Sequence, residues 1–83
     1  MIKFLFFAQL VEHAQCDSLD IEYQAGQSVH DYLNNVADLL PDGAIEMISD
    51  STNMVSINQT LASWDAKVSD GDEIALLPPF SGG

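Results

Sequence analysis

One helical pattern in the middle of this chain limits the folds that its 83 residues can adopt. Between residues 28 and 40, apolar side chains recur at helical spacing and polar side chains take the opposite side. Ser28 precedes the pattern as an N-cap with Asp31 three residues later, and the turn residues 41–43 end it. Because one helix cannot cover both faces of a sheet, its apolar stripe is expected to pack on one face only. The stripe consists of Val29, Leu33, Val36, Ala37 and Leu40.

Strand-like patterns lie on both sides of this predicted helix. Residues 2–9 are apolar on two faces, which predicts a strand that is covered on both sides and central in its sheet. Residues 19–24 alternate strictly between apolar and polar, as half-buried strands do. Downstream, the patterns predict a short helical turn around residues 45–48 and three strands. These strands are 54–58, 60–64 after a tight turn at Asn58-Gln59, and 73–77 after the turn Asp70-Gly71-Asp72.

This order of elements predicts an α+β domain in which one mixed sheet packs against one main helix. The first strand is expected to lie beside the last, which is the β-grasp, or ubiquitin-like, arrangement. We assign residues 1–79 to this domain and expect residues 80–83 to form a flexible C-terminal Gly-Gly tail.

Charge restricts the partners of such a domain. Thirteen acidic residues face only Lys3 and Lys67, so the net charge is −11. This charge repels phosphate backbones and therefore excludes nucleic acid as a partner. It either favours a partner with a basic face or only keeps a small protein in solution. With no apolar run of ~18 residues and no signal-peptide pattern, we predict a cytoplasmic protein that does not bind membranes.

No catalytic or metal-binding constellation is present in the sequence. Cys16 is the single cysteine, and His13 and His30 are the only histidines, fewer than the four ligands of a structural zinc. An iron–sulfur cluster is excluded on the same ground, because it needs about four cysteines. We therefore predict no bound cofactor, no metal and no catalysis by the chain alone.

The C-terminal residues are the candidates for a chemical role. Pro78 and Pro79 cannot donate to a strand ladder, so they are expected to end the last strand and direct the tail outward. Gly82 and Gly83 have no Cβ and, with Ser81, would let the tail enter a narrow passage in another protein. The carboxylate of Gly83 is a poor electrophile until it is activated.

Contact with partners is predicted for residues on and before the tail. Phe80 is a candidate either for an anchor in a partner's pocket or for packing back on the core. Leu77 and Phe7 are candidates for an apolar docking patch, together with Pro78 and Pro79, although core placement is favoured for Leu77 and Phe7.

Three segments, MIKFLFFAQL at the start, SINQT in the middle and DGDEIALLPPFSGG at the end, resemble the small subunits of molybdopterin synthase. The resemblance spans the chain and implies a sulfur carrier of molybdenum cofactor biosynthesis. It implies that an E1-like enzyme uses ATP to adenylate Gly83 and that a sulfur donor protein converts the carboxylate to a thiocarboxylate. The tail would then enter the large subunit of the synthase and give its sulfur to a cyclic pterin precursor.

Some residues depart from that family's pattern, and two other carriers remain open. Val11 stands where a basic residue is frequent, Leu76 and Leu77 where aromatics are common, and Phe80 where a smaller aliphatic residue is usual. The alternatives are a ubiquitin-like modifier joined to lysines and a sulfur carrier of the thiamine pathway. The thiamine carriers are usually shorter and lack the Pro-Pro approach.

Overall fold

The structure of the chain is a computed structural model, and it describes residues 1–79. Its strands form one mixed sheet in the order β2-β1-β5-β3-β4. They are β1 (Ile2–Phe6), β2 (Ser18–Ile21), β3 (Met54–Ile57), β4 (Thr60–Ala62) and β5 (Glu73–Leu77). The helices are α1 (Gln9–Ala14), α2 (Val29–Asn35) and α3 (Ala44–Ile48), with a 3₁₀ helix at Ala37–Leu39. The expected neighbourhood of the first and last strands is confirmed, since β1 pairs with β5 in parallel.

Only one face of β1 is covered, contrary to the prediction. Ile2, Phe4 and Phe6 are buried in the core that the helices share with the sheet. The other face carries the exposed Lys3 and the partly exposed Leu5. The prediction was wrong because an apolar run shows that two faces are apolar but not that the fold has a second layer to cover both.

The strand is also shorter than predicted because α1 begins directly after it. Leu10 and Ala14, four residues apart, are the buried positions of this helix. That spacing is helical, so the sequence does contain a signal for α1, although no helix was predicted there. With only two buried positions among six residues, this pattern is too short to identify a helix from the sequence.

The N-terminus of α2 is confirmed together with its cap. The Asp31 N–H donates to Ser28 Oγ at 3.2 Å, and the Ser28 N–H donates to Asp31 Oδ2 at 3.1 Å. Regular α-helix ends at Asn35 rather than at residue 40, because the Val36 N–H is shared between the carbonyls of Tyr32 and Leu33 and the chain tightens into a 3₁₀ turn. Val36 and Leu40 are still buried, as the stripe predicted.

Because of this cap, the stability of the fold is expected to depend on pH in the acidic range. The hydrogen bond from the Ser28 backbone, and then that from its side chain, holds the pKa of Asp31 below its ordinary value of 3.8. A depressed pKa stabilises the folded state above the unfolded value, and the contribution is lost as the pH falls through the folded value. We expect the melting temperature of the wild type to fall as the pH drops below about 4, and that of Asp31→Asn to fall less.

Thermal melts followed by circular dichroism over this range measure the difference. Asp42→Asn, at an exposed position in the turn after α2, is the matched control and should keep the wild-type slope. Bonds from Thr52 also lower the pKa of Asp50, and the Met1 ammonium lowers that of Asp70, so some acid dependence remains in every variant. Equal slopes in Asp31→Asn and the wild type would contradict the prediction.

Candidate functional site

The turn before β5 fixes the strand that leads to the C-terminal residues. Gly71 has a φ of +88°, a conformation that side chains disfavour. Asp72 accepts from the Ser69 N–H at 2.8 Å and from Asn58 Nδ2 at 2.9 Å, while Asn58 Oδ1 accepts from the Glu73 N–H at 3.0 Å. The residues Asp70-Gly71-Asp72 therefore anchor the start of β5.

The end of β5 lies beside the end of β1. The two strands run in the same direction, and the Phe7 N–H donates to the Leu76 carbonyl at 3.2 Å. Pro78 is partly buried and Pro79 is exposed, directly after the last strand residue, Leu77. This agrees with the predicted role of the prolines in ending the ladder.

Phe80, Ser81, Gly82 and Gly83 lie outside the described residues. The structure therefore tests neither their predicted roles nor the two alternatives for Phe80.

The sheet face that points away from the helices, here called the outer face, is apolar near these strand ends. The register pairs Leu5 with Ala75 and Leu77 with Met54, all outside the buried side of the sheet. Phe7 continues the alternation of β1 and is 43% exposed, whereas Phe4 is fully buried. Core placement, which the sequence favoured, is wrong for Phe7, and Leu77 is half-buried.

Ala8 holds the turn that leads from Phe7 into α1. Its φ of 53° and ψ of −134° are close to the first central position of a type II′ turn, which favours glycine. The Leu10 N–H donates to the Phe7 carbonyl at 3.1 Å and closes this turn. With its N–H bound to β5 and its carbonyl bound to α1, the backbone of Phe7 is fixed on both sides.

We expect Ala8→Gly to stabilise the fold by about 1 kcal/mol, because strain of about 1–3 kcal/mol is removed while the unfolded chain gains freedom worth about 0.4–1 kcal/mol. Urea unfolding at equilibrium measures this change. Ala25→Gly, in an exposed loop, is the matched control and should destabilise the fold slightly. A less stable Ala8→Gly variant would show that the turn carries no strain.

An open groove of about 360 Å³ lies next to Phe7 where β1 and β2 pair. Leu5 and Ser18 are cross-strand partners in it, and the Phe6 N–H donates to the Asp17 carbonyl at 3.0 Å. The lining thus combines apolar residues with the exposed polar residues Asp17 and Ser18. The sequence alone does not predict this groove, because Asp17 comes next to Phe7 only through the pairing of the strands. The lining residues are Leu5, Phe6, Phe7, Asp17 and Ser18.

Cys16 does not have the properties of a reactive thiol. Burial, and then the charge of Asp17, raise the pKa of the thiol above its ordinary value of 9.0. A protonated thiol is a weak nucleophile and a weak metal ligand. Within residues 1–79, no three His, Cys, Asp or Glu side chains converge on a possible metal position.

The electrostatic surface is acidic. Among the described residues the one ion pair joins the Met1 ammonium to Asp70 at 2.7 Å. Lys67 donates to the Gly26 carbonyl at 3.0 Å, and the register places Lys3 between Asp20 and Glu73. In the part of the chain with described coordinates, no helix has the length and apolarity that crossing a membrane requires.

A family model described as the ThiS family matches residues 4–83. The chain belongs to the ThiS family. Two relatives of this ThiS-family chain are the molybdopterin synthase sulfur carrier subunits of Escherichia coli (strain K12) and Haemophilus influenzae. They are 33% and 34% identical to it over 89 aligned positions that cover the whole of each chain. The resemblance found in the sequence is thereby confirmed.

Solved structures confirm the fold. Two crystal structures of SAMP1, the small archaeal modifier protein 1 of Haloferax volcanii, match with TM-scores of 0.81 and 0.77. The identities are 27% and 26%, and the matches cover 99% and 94% of the ThiS-family chain and 98% and 95% of the archaeal chains. The predicted β-grasp, ubiquitin-like arrangement is therefore correct.

Proposed function

We propose that this chain is the sulfur carrier and small subunit of a molybdopterin synthase. The observation that carries the proposal is its full-length similarity to two proteins named as such subunits. The Gly82-Gly83 sequence that follows β5 and two prolines supports it, because this order supplies a carboxylate on a stem without bulky side chains.

The first chemical step activates the Gly83 carboxylate. An E1-like enzyme joins a carboxylate oxygen to the α-phosphorus of ATP, and pyrophosphate leaves. The resulting acyl adenylate is an electrophile, which the free carboxylate is not. ATP is therefore a substrate of the activating enzyme, and we propose that the carrier itself holds no cofactor.

The second step exchanges oxygen for sulfur. Sulfur at the oxidation level of sulfide, supplied by a donor protein, forms a bond to the Gly83 carbonyl carbon, and AMP leaves with the electron pair of the C–O bond. The thiocarboxylate sulfur then bonds to a carbon of the cyclic pterin precursor, while a carbon–oxygen bond of that carbon breaks and the oxygen leaves as water after proton transfer. Water cleaves the carbonyl–sulfur bond, which restores the carboxylate and leaves sulfur on the pterin.

Docking on the large subunit is proposed for the outer face and the residues after it. Phe7 and Leu77 lie next to each other at the ends of β1 and β5, beside the point where the tail leaves the sheet. An exposed aromatic side chain on a fixed backbone is a favourable anchor, because little conformational freedom is lost on binding. Pro78, Pro79 and Phe80 would continue this contact toward the partner's active site.

In this proposal the chain does not catalyse alone and becomes part of an enzyme when its tail enters the partner. The five residues 79–83 span at most roughly 17 Å when extended, enough to reach a buried site from a docked domain. We also propose that the complex forms in the cytoplasm, that the partner's docking face is basic, and that salt weakens binding.

Intact-mass analysis after incubation with ATP, the activating enzyme and the sulfur donor tests the proposal. We expect one oxygen of the chain to be replaced by sulfur, with fragments that place the exchange at Gly83. Omission of ATP is the control and should leave the mass unchanged. An unmodified chain under complete conditions that modify a known carrier would refute the proposal.

A ubiquitin-like modifier is the second candidate. The similarity to the small archaeal modifier protein 1 favours it, because that protein shares the fold along nearly the whole chain. In this case Gly83 would form an isopeptide bond with a lysine of another protein. Trypsin cuts this chain last after Lys67, so tryptic peptides in which a lysine carries residues 68–83 would support the modifier. A free thiocarboxylate without such branched peptides supports the sulfur carrier.

A further inference from the structure

We propose that the groove beside Phe7 binds one arginine side chain of the large subunit, with Asp17 as the charge partner of its guanidinium group. The inference rests on the proposed function, because it assigns a contact within that complex.

An aromatic, an acidic and a hydroxyl-bearing residue line one open space of about 360 Å³. They are Phe7, Asp17 and Ser18, and all three are exposed. A guanidinium group stacks on aromatic faces and donates to carboxylates from a planar fork, so it uses all three. Its aliphatic stem fits the apolar wall of Leu5.

The groove is held in shape before a partner arrives. The Phe6 N–H bond to the Asp17 carbonyl joins its two walls, and the bonds of Phe7 to Leu76 and Leu10 fix the aromatic side. A site that is already formed loses little conformational entropy on binding. This arrangement favours a specific side chain over general attraction to the acidic surface.

Charge identifies the occupant as a cation from another protein. The chain has two lysines and no arginine, and Lys67 already donates to the Gly26 carbonyl. A second copy of the chain is disfavoured, because it would bring another net charge of −11 to the same face. A partner with a basic docking face supplies the missing cation, and the groove adjoins the proposed docking surface at Phe7.

The test compares Asp17→Asn with Asp42→Asn in binding to the purified large subunit, measured by calorimetry on full-length chains. Both variants lose one exposed carboxylate, but Asp42 lies in the turn before α3 and does not line the groove. We expect Asp17→Asn to weaken binding roughly tenfold and Asp42→Asn less than twofold. The salt dependence of binding should also become less steep in Asp17→Asn only.

A double-mutant cycle separates the groove from general electrostatics. If one guanidinium contacts both groups, the losses in Asp17→Asn and Phe7→Leu are not additive, and their combination weakens binding by less than the product of the two fold-changes.

Phenylglyoxal labelling identifies the side chain that the groove binds. The wild-type carrier should protect one arginine of the large subunit from the reagent, and Asp17→Asn should protect it less.

Each outcome decides between the inference and the function on which it rests. Equal binding by Asp17→Asn and Asp42→Asn, or failure of the carrier to protect any arginine from phenylglyoxal, overturns the inference and leaves the sulfur carrier in place. A loss confined to the activating enzyme also overturns it, because the proposal commits to the large subunit. Failure of the wild-type chain to bind the large subunit refutes the proposed function itself.

Discussion

Removal of Gly83, or addition of one residue after it, is expected to abolish sulfur transfer and to leave the free energy of unfolding unchanged. The proposed chemistry takes place at the Gly83 carbonyl carbon. Deletion leaves the Gly82 carboxylate one residue, about 3.5 Å, short of that position, and extension converts the Gly83 carboxylate into a peptide bond. The buried core consists of residues from Ile2 to Leu76, so neither change touches it.

Pterin conversion by the reconstituted synthase measures the first effect, and urea unfolding measures the second. Ser81→Ala is the matched control, because it alters the tail without changing the terminal carboxylate, and it should retain most of the transfer. Normal cofactor synthesis by the shortened or the extended chain would disprove the role of Gly83. Loss of folding in either variant would instead show that the tail stabilises the domain.

Replacement of Phe4 by alanine is expected to have the largest effect on stability. Phe4 is fully buried between the sheet and the helices, and loss of such a side chain costs roughly 3–5 kcal/mol. Small domains have total stabilities of about 5–15 kcal/mol, so the variant should be close to unfolding at room temperature. Equilibrium urea unfolding measures the loss.

Phe7→Ala is the matched comparison for Phe4→Ala, because it removes the same side chain from an exposed position. The two residues are three positions apart in one apolar run, but Phe7 is 43% exposed on the outer face. We expect this variant to lose at most about 1 kcal/mol of stability and to bind the large subunit roughly 30-fold more weakly, as for an interface anchor. Equal destabilisation by the two substitutions would remove Phe7 from the docking surface.

The contrast between these two phenylalanines marks the limit of the sequence patterns. Alternation in residues 2–7 separates the two sides of β1 correctly, but composition does not reveal which side receives the helices. The fold has helices on one face only, and this leaves the second apolar side for contact with other proteins. The mistaken placement of Phe7 in the core has this cause.

The sequence by itself determined the features that depend on neighbours along the chain. The bounds of β5, Glu73–Leu77, were predicted because a turn with Gly71 precedes the strand and Pro78 follows it. The cap of α2 at Ser28 and the tight turn at Asn58-Gln59 were predicted for similar reasons, and both residues of that turn have positive φ values. Short-range hydrogen bonds and allowed backbone torsions decide such features, so a few adjacent residues suffice.

Only the tertiary structure decided what lies together at the candidate docking surface. Phe7 and Asp17 are ten residues apart, and the antiparallel register of β1 and β2 brings them to one groove. Leu77 comes beside Phe7 through the parallel pairing of the first and last strands. Such contacts depend on strand order and on the side of the sheet that the helices cover, and these are set by burial of the whole core rather than by any local pattern.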